Sequence, residues 1–179
     1  GQTPEDITVD GDYTDWSSDS LMATDSSGVD LRLTWNETML FLGWDGTDWK
    51  STFEGADLFV YLNTSEGGSV LSRDWGFAHT LPFAADHGFV LEDDTYFQHI
   101  AYDGSSWLDQ GTSVDLYAGW ADNKATELAL PWSALGQPTS FDLLVYAQWQ
   151  DSGNVWTSFP LQNPANNNGA ETFTHAWHA

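Results

Sequence analysis

Val29–Gly46 reads VDLRLTWNETMLFLGWDG. In its first half Leu31, Leu33 and Trp35 fall on one side and Arg32 and Thr34 on the other. That period of two marks a strand with one buried face. Asn36-Glu37-Thr38 has the polar composition of a tight hairpin loop. Met39–Trp44 is apolar on both faces, as a central strand is, and Asp45-Gly46 is a turn. The stretch therefore predicts an antiparallel hairpin, and the same grammar continues outward from it. Asp57–Asn63, Gly88–Leu91, Tyr96–Tyr102, Ser113–Trp120, Thr126–Leu130, Phe141–Gln150, Val155–Phe159 and Thr172–Trp177 read as further strands. Asp10-Gly11, Gly67-Gly68, Asp103-Gly104 and Ser152-Gly153 punctuate them. One helical turn is expected, at Pro131–Leu135, opened by proline and stopped by Gly136. The fold class expected is all-β: an antiparallel β-sandwich of jelly-roll type, about ten strands, in a single domain over residues 1–179.

Charge and composition narrow the function. Four Lys and Arg stand against 27 Asp and Glu, a formal net charge of −23. Nucleic-acid binding needs cations to displace counterions, so it is excluded. No stretch reaches the roughly 18–20 apolar residues of a membrane span, so no membrane insertion is expected. Residues 1–20 show no basic and apolar leader. There is no cysteine, hence no thiol nucleophile and no thiolate zinc site. No Gly-x-Ser-x-Gly, His-Glu-x-x-His or P-loop pattern occurs, and carboxylate pairs are too numerous to specify a glycosidase. The chain reads as non-enzymatic. Haem would need an axial ligand such as Met39, which sits in a core strand where packing explains it.

Four pieces recur in an order that resembles a known group: ITVDGDYTDW (Ile7–Trp16), VDLRLTWNETMLFLGWDG (Val29–Gly46), ADLFVYLN (Ala56–Asn63) and TELALPWSALG (Thr126–Gly136). They are similar to the DOMON-like sandwich superfamily, which includes family 9 carbohydrate-binding modules. The resemblance covers nearly the full chain. It implies a jelly-roll-like sandwich, often calcium-bound, that binds sugars or haem on secreted enzymes and surface proteins. Function varies widely within such a fold.

Two chemistries follow for named residues. Clustered aspartates supply the oxygen ligands calcium prefers: Asp10, Asp12 and Asp15 in one turn, Asp45 and Asp48 in another. Their alternative role is to form turns by bonding their own backbone. Sugar rings stack apolar faces on indoles, and the chain has 11 Trp. Trp35, Trp120 and Trp132 read as core. Trp75, Trp107, Trp156 and Trp177 lie near loops or strand ends and are the platform candidates. Arg73 and Gln150 are candidate hydroxyl contacts. Simple packing is the alternative for each loop Trp. Two sequons, Asn36-Glu37-Thr38 and Asn63-Thr64-Ser65, agree with an extracellular or cell-surface location. The expected partner is a polysaccharide or glycan. The other reading is a structural subunit that assembles with copies of itself by strand addition through Gly1–Val9.

Overall fold

The computed structural model describes residues 3–46, 55–93, 95–119, 124–166 and 168–179. Its strands are β1 Leu21–Thr24, β2 Asp30–Trp35, β3 Met39–Asp45, β4 Ala56–Asn63, β5 Ser69–Leu71, β6 Thr80–Ala85, β7 His87–Leu91, β8 Phe97–Tyr102, β9 Trp107–Asp109, β10 Asp115–Tyr117, β11 Thr126–Pro131, β12 Asp142–Trp149, β13 Val155–Phe159 and β14 Trp177–His178. Every strand ladder is antiparallel. The chain is all-β, as the alternation predicts. It divides into two compact units, Gly1–Glu54 with Ser113–Gln137, and Gly55–Thr112 with Pro138–Ala179.

The first unit holds a five-stranded sheet, β1-β2-β3-β11-β10. Its centre is the hairpin of residues 29–46, paired Leu33 to Leu42 and Trp35 to Leu40. Leu31, Leu33, Leu40, Leu42, Trp44 and Leu128 are buried on one row. On the other row Phe41 and Ala129 form a cluster with Trp16, onto which Ile7, Val9, Tyr13 and Met39 pack. Gly43 sits in this row because the Tyr13 and Trp16 rings lie over it. A Cβ there would meet Tyr13 at 2.9 Å.

The N-terminal segment is fixed to this face by one buried carboxylate. Glu127, Gly43's cross-strand partner, is fully buried. Its Oε2 accepts from Asp10 N (2.9 Å) and Gly11 N (2.7 Å), and its Oε1 accepts from Trp16 Nε1 (2.7 Å). The Asp-Gly…Trp stretch and the Glu-led strand, 111 to 117 residues apart in sequence, thus meet through three hydrogen bonds. Burial raises the Glu127 pKa, against the lowering effect of these donors.

The second unit holds the larger sheet, β13-β12-β4-β7-β8-β9, with β14 added beside β12. One face carries a stacked aromatic core: Phe59 and Tyr146 are 5.0 Å apart, as are Tyr146 and Phe173. Tyr61, Val90, Ile100 and Leu144 extend it, and Leu81 and Ala85 of β6 pack on it.

Four strands escaped the alternation. β1, β5 and β9 are three or four residues long, too short to show a period, and β6 carries Pro82, which demotes a strand pattern. The expected Ser113–Trp120 strand shortens to β10, with Trp120 outside the described residues, and the expected Thr172–Trp177 strand is not formed except at Trp177, where the two-residue β14 begins. Among the described residues three 3-10 turns occur rather than one. The expected turn is Trp132–Leu135, with Gly136 left-handed at φ 76°. Tyr13–Asp15 and Ser18–Ser20 are added because Asp12 and Ser17 side chains accept from Thr14 N and Asp19 N. Trp35 and Trp132 are half-buried rather than core, and among the described residues the buried tryptophans are Trp16 and Trp44.

Candidate functional site

The site is built on the aromatic face of the second unit, at the β8–β9 end. In β8, Gln98, Ile100 and Tyr102 share this face; cross-strand pairing adds Asp109 opposite Ile100 and Trp107 opposite Tyr102. Above them runs a loop, Ser72–His79, closed at its base. Ser72 N donates to His79 O (2.8 Å), and His79 N donates to Ser72 Oγ (2.8 Å). Its start is pinned by Arg73 N donating to the buried Tyr61 hydroxyl (2.9 Å). Its far side is pinned where Gln148 Nε2 donates to Trp75 O (2.5 Å). Gly76 then lies against Gly153 of the β12–β13 turn. Both have positive φ, and a Cβ on Gly153 would sit 2.9 Å from the Gly76 Cα.

This loop brings together three of the expected sugar contacts. The Arg73 guanidinium lies 4.6 Å from the Trp75 ring centroid. Trp75 stands edge-on to Phe59 (5.6 Å) and meets Tyr96 at 5.7 Å. Trp107 stands edge-on to Tyr61 (5.3 Å), tilts against Tyr102 (5.5 Å), and donates through Nε1 to Leu71 O (3.1 Å). Arg73 Nη1 donates to Gln98 Oε1 (2.5 Å), and Gln98 Nε2 donates to Asp109 Oδ2 (3.3 Å). The result is a polar run, Arg73–Gln98–Asp109, bordered by the indoles of Trp75 and Trp107, both half-buried, with Tyr96 40% exposed. Val70, Leu71 and Leu108 are exposed nearby. Tyr96, Gln98, Tyr102 and Asp109 were not foreseen. The parity of β8 carries the signal for Tyr96, Gln98 and Tyr102; the β8–β9 register, which places Asp109, is absent from the sequence.

The other three sugar candidates lie elsewhere in the unit. Trp156 stacks on Trp149 (5.6 Å) on the opposite face of the same sheet, with Nε1 buried and without a partner among the described residues. Trp177 is in β14 and packs on Phe159 (6.3 Å). Gln150 hydrogen-bonds the carboxylate of Asp57.

Asp57 is only 4% exposed, and its Oδ1 has no partner among the described residues. Burial, then the charges of Glu92 and Asp93, push its pKa up to about 7, against the Gln150 hydrogen bond. Three histidines are buried or half-buried and held neutral. His79 Nε2 donates to Gln148 Oε1 (3.1 Å) while its Nδ1 accepts from Glu171 N (3.0 Å). His87 Nδ1 and His99 Nε2 share a proton at 3.0 Å, and His99 Nδ1 contacts Thr112 Oγ1 at 2.6 Å. Burial, then the neighbouring His87, lowers His99 to about 4.

The aspartates considered for calcium serve their turns. Asp10 Oδ1 accepts from Asp12 N (3.0 Å), Asp12 Oδ1 from Thr14 N (3.0 Å), and Asp15 Oδ2 from Thr8 N (2.5 Å). Asp45 Oδ1 accepts from Gly46 N (2.8 Å); Asp48 lies outside the described residues. Among the described residues no group of three His, Asp or Glu is placed to hold a metal ion. Both sequon amides are engaged as well: Asn36 Nδ2 donates to Asp6 (2.9 Å), and Asn63 Nδ2 donates to Asp142 (2.9 Å).

No family model and no curated protein matches this chain.

Proposed function

We propose that the chain is a non-catalytic carbohydrate-binding module, working outside the cell, whose ligand lies on the Arg73–Trp75–Trp107 face of the second unit. The observation that carries this reading is the convergence of two indoles, two tyrosines and an Arg–Gln–Asp run on one exposed face. Saccharides offer apolar C–H faces for the rings and hydroxyls for the polar run. The likeness of the ordered motifs to the DOMON-like superfamily supports the same reading. The strand-addition reading has less support: Ile7 and Val9 pack on their own unit, and Glu5 N donates to Trp35 O (2.8 Å).

A glycan array with the intact chain tests the proposal. Binding is expected, weakened by Trp107→Ala and by Trp75→Ala, and unchanged by Trp156→Phe on the opposite face. No binding across plant, algal and microbial polysaccharides would sink it.

A further inference from the structure

Arg73 is the single Lys or Arg in the sequence of the second unit, Gly55–Thr112 with Pro138–Ala179. The two basic residues described in the first unit have evident structural uses. Arg32 Nη1 donates to Ser17 O (3.1 Å) and Ser20 Oγ (3.3 Å) beneath a 3-10 turn, and Lys124 Nζ donates to Asp10 O (2.9 Å) beside the Glu127 anchor. Arg73 differs. Its side chain makes one hydrogen bond, to Gln98, and no ion pair with a carboxylate among the described residues. A guanidinium carries five N–H donors in a planar fork. Most of that fork is therefore uncommitted, and the residue is only half-buried.

The surroundings fix the fork rather than neutralise it. The Trp75 ring holds the guanidinium plane by contact at 4.6 Å. Gln98 is oriented by Asp109, so its oxygen, not its amide nitrogen, faces Arg73. Gln98 and Asp109 are positioning residues in this arrangement. A chain carrying −23 overall has abundant carboxylates to pair with this cation, yet none among the described residues does. An orientated, unpaired guanidinium beside an indole is suited to a planar or tetrahedral anion by charge-assisted hydrogen bonds.

Resting on the carbohydrate reading above, we propose that this face selects saccharides bearing an anionic substituent, a carboxylate or a sulfate ester, received by Arg73 while the sugar rings lie along Trp75 and Trp107. The overall negative charge repels such a polymer at long range. That repulsion is screened beyond about 8–10 Å at moderate salt, whereas the contact pair is not.

Calorimetric titration in moderate salt decides it. The probes are a polygalacturonate and its carboxyl-reduced counterpart, and a sulfated galactan and its desulfated counterpart. At least one anionic form is expected to bind about tenfold tighter than its neutral counterpart, and the arm that does so identifies carboxylate or sulfate. Arg73→Gln is expected to remove that difference, and Arg73→Lys to keep part of it, because lysine retains the charge without the fork. Neutral forms binding as well as anionic ones, or an Arg73→Gln protein that still prefers the anion, would overturn the proposal. Binding confined to neutral polymers removes it but leaves the carbohydrate reading standing; no binding to any of the four also removes it, and the glycan array then decides the carbohydrate reading. If circular dichroism shows the variant unfolded, the anionic-against-neutral comparison on the unaltered chain decides alone.

Discussion

Glu127 concentrates the logic of the first unit in one side chain. Three donors from the Asp10–Trp16 stretch converge on a carboxylate with no water access. Replacing one carboxylate oxygen by an amide N–H sets donor against donor at that end of the side chain, and a buried donor left unmet costs more than the net worth of its bond. Glu127→Gln should therefore lower stability by about 2–4 kcal/mol, read by denaturant unfolding, whereas Asp12→Ala, loss of an exposed cap, costs about 1 kcal/mol. Asp57 acts in the opposite sense. Its folded pKa of about 7 lies above the ordinary 3.8, so between those values the folded state holds a proton the unfolded state has released. Its contribution is present below pH 4 and is lost as pH rises to 7 and beyond. His99, lowered to about 4, contributes stability above its ordinary 6.5 that is lost as pH falls toward 4. Asp57→Asn is expected to raise the melting temperature at pH 8 and to flatten the loss of stability between pH 4 and pH 8. An unchanged pH profile in that variant contradicts the buried-carboxyl account.

At the scale of elements, the proposed site rests on the Ser72–His79 loop. It has two internal hydrogen bonds at its base and leans on three outside supports: the Tyr61 hydroxyl, the Gln148 side chain and the Gly76–Gly153 contact. Gly153→Ala adds a methyl against backbone at a positive φ of 74°. It should displace the loop and weaken ligand binding more than Trp156→Phe does, with the melting temperature reduced by a few degrees. Full binding in Gly153→Ala would show that loop position does not matter. Within β3, Gly43→Val drives two methyls into Tyr13 and Trp16, for about 1–3 kcal/mol.

For the whole molecule the governing quantity is charge. No Lys or Arg among the described residues pairs with a carboxylate; His178 Nδ1 meets Asp142 Oδ1 in an exposed hydrogen bond at 2.9 Å. Self-repulsion of −23 charges therefore goes largely uncompensated from within, and mobile ions must do the screening. The screening length falls from about 30 Å at 0.01 M salt to about 3 Å at 1 M. Melting temperature is expected to climb steeply over that range in sodium chloride. A flat response indicates that the carboxylates are too dispersed to interact.

The all-β class, the central hairpin at residues 29–46 and the turn at Trp132–Gly136 were legible in the sequence, because alternation and turn chemistry are local. Arg73, Trp75 and Trp107 were also singled out there, Arg73 as one of four basic residues and the tryptophans by their loop setting, and the structure brings these three together. The sequence could not separate these from Trp156, Trp177 and Gln150. Which face a loop tryptophan meets depends on register and on supports distant in sequence, such as Gln148 for Trp75 and Leu71 for Trp107. Of the aspartates considered for calcium, Asp10, Asp12 and Asp45 accept from backbone N–H groups of their own turns and Asp15 accepts from Thr8 N, partners that spacing alone does not name. The Asp-Gly…Trp stretch and Glu127 were both visible as motifs. Only folding, by bringing residues more than a hundred positions apart onto one buried carboxylate, decided that they are a single feature.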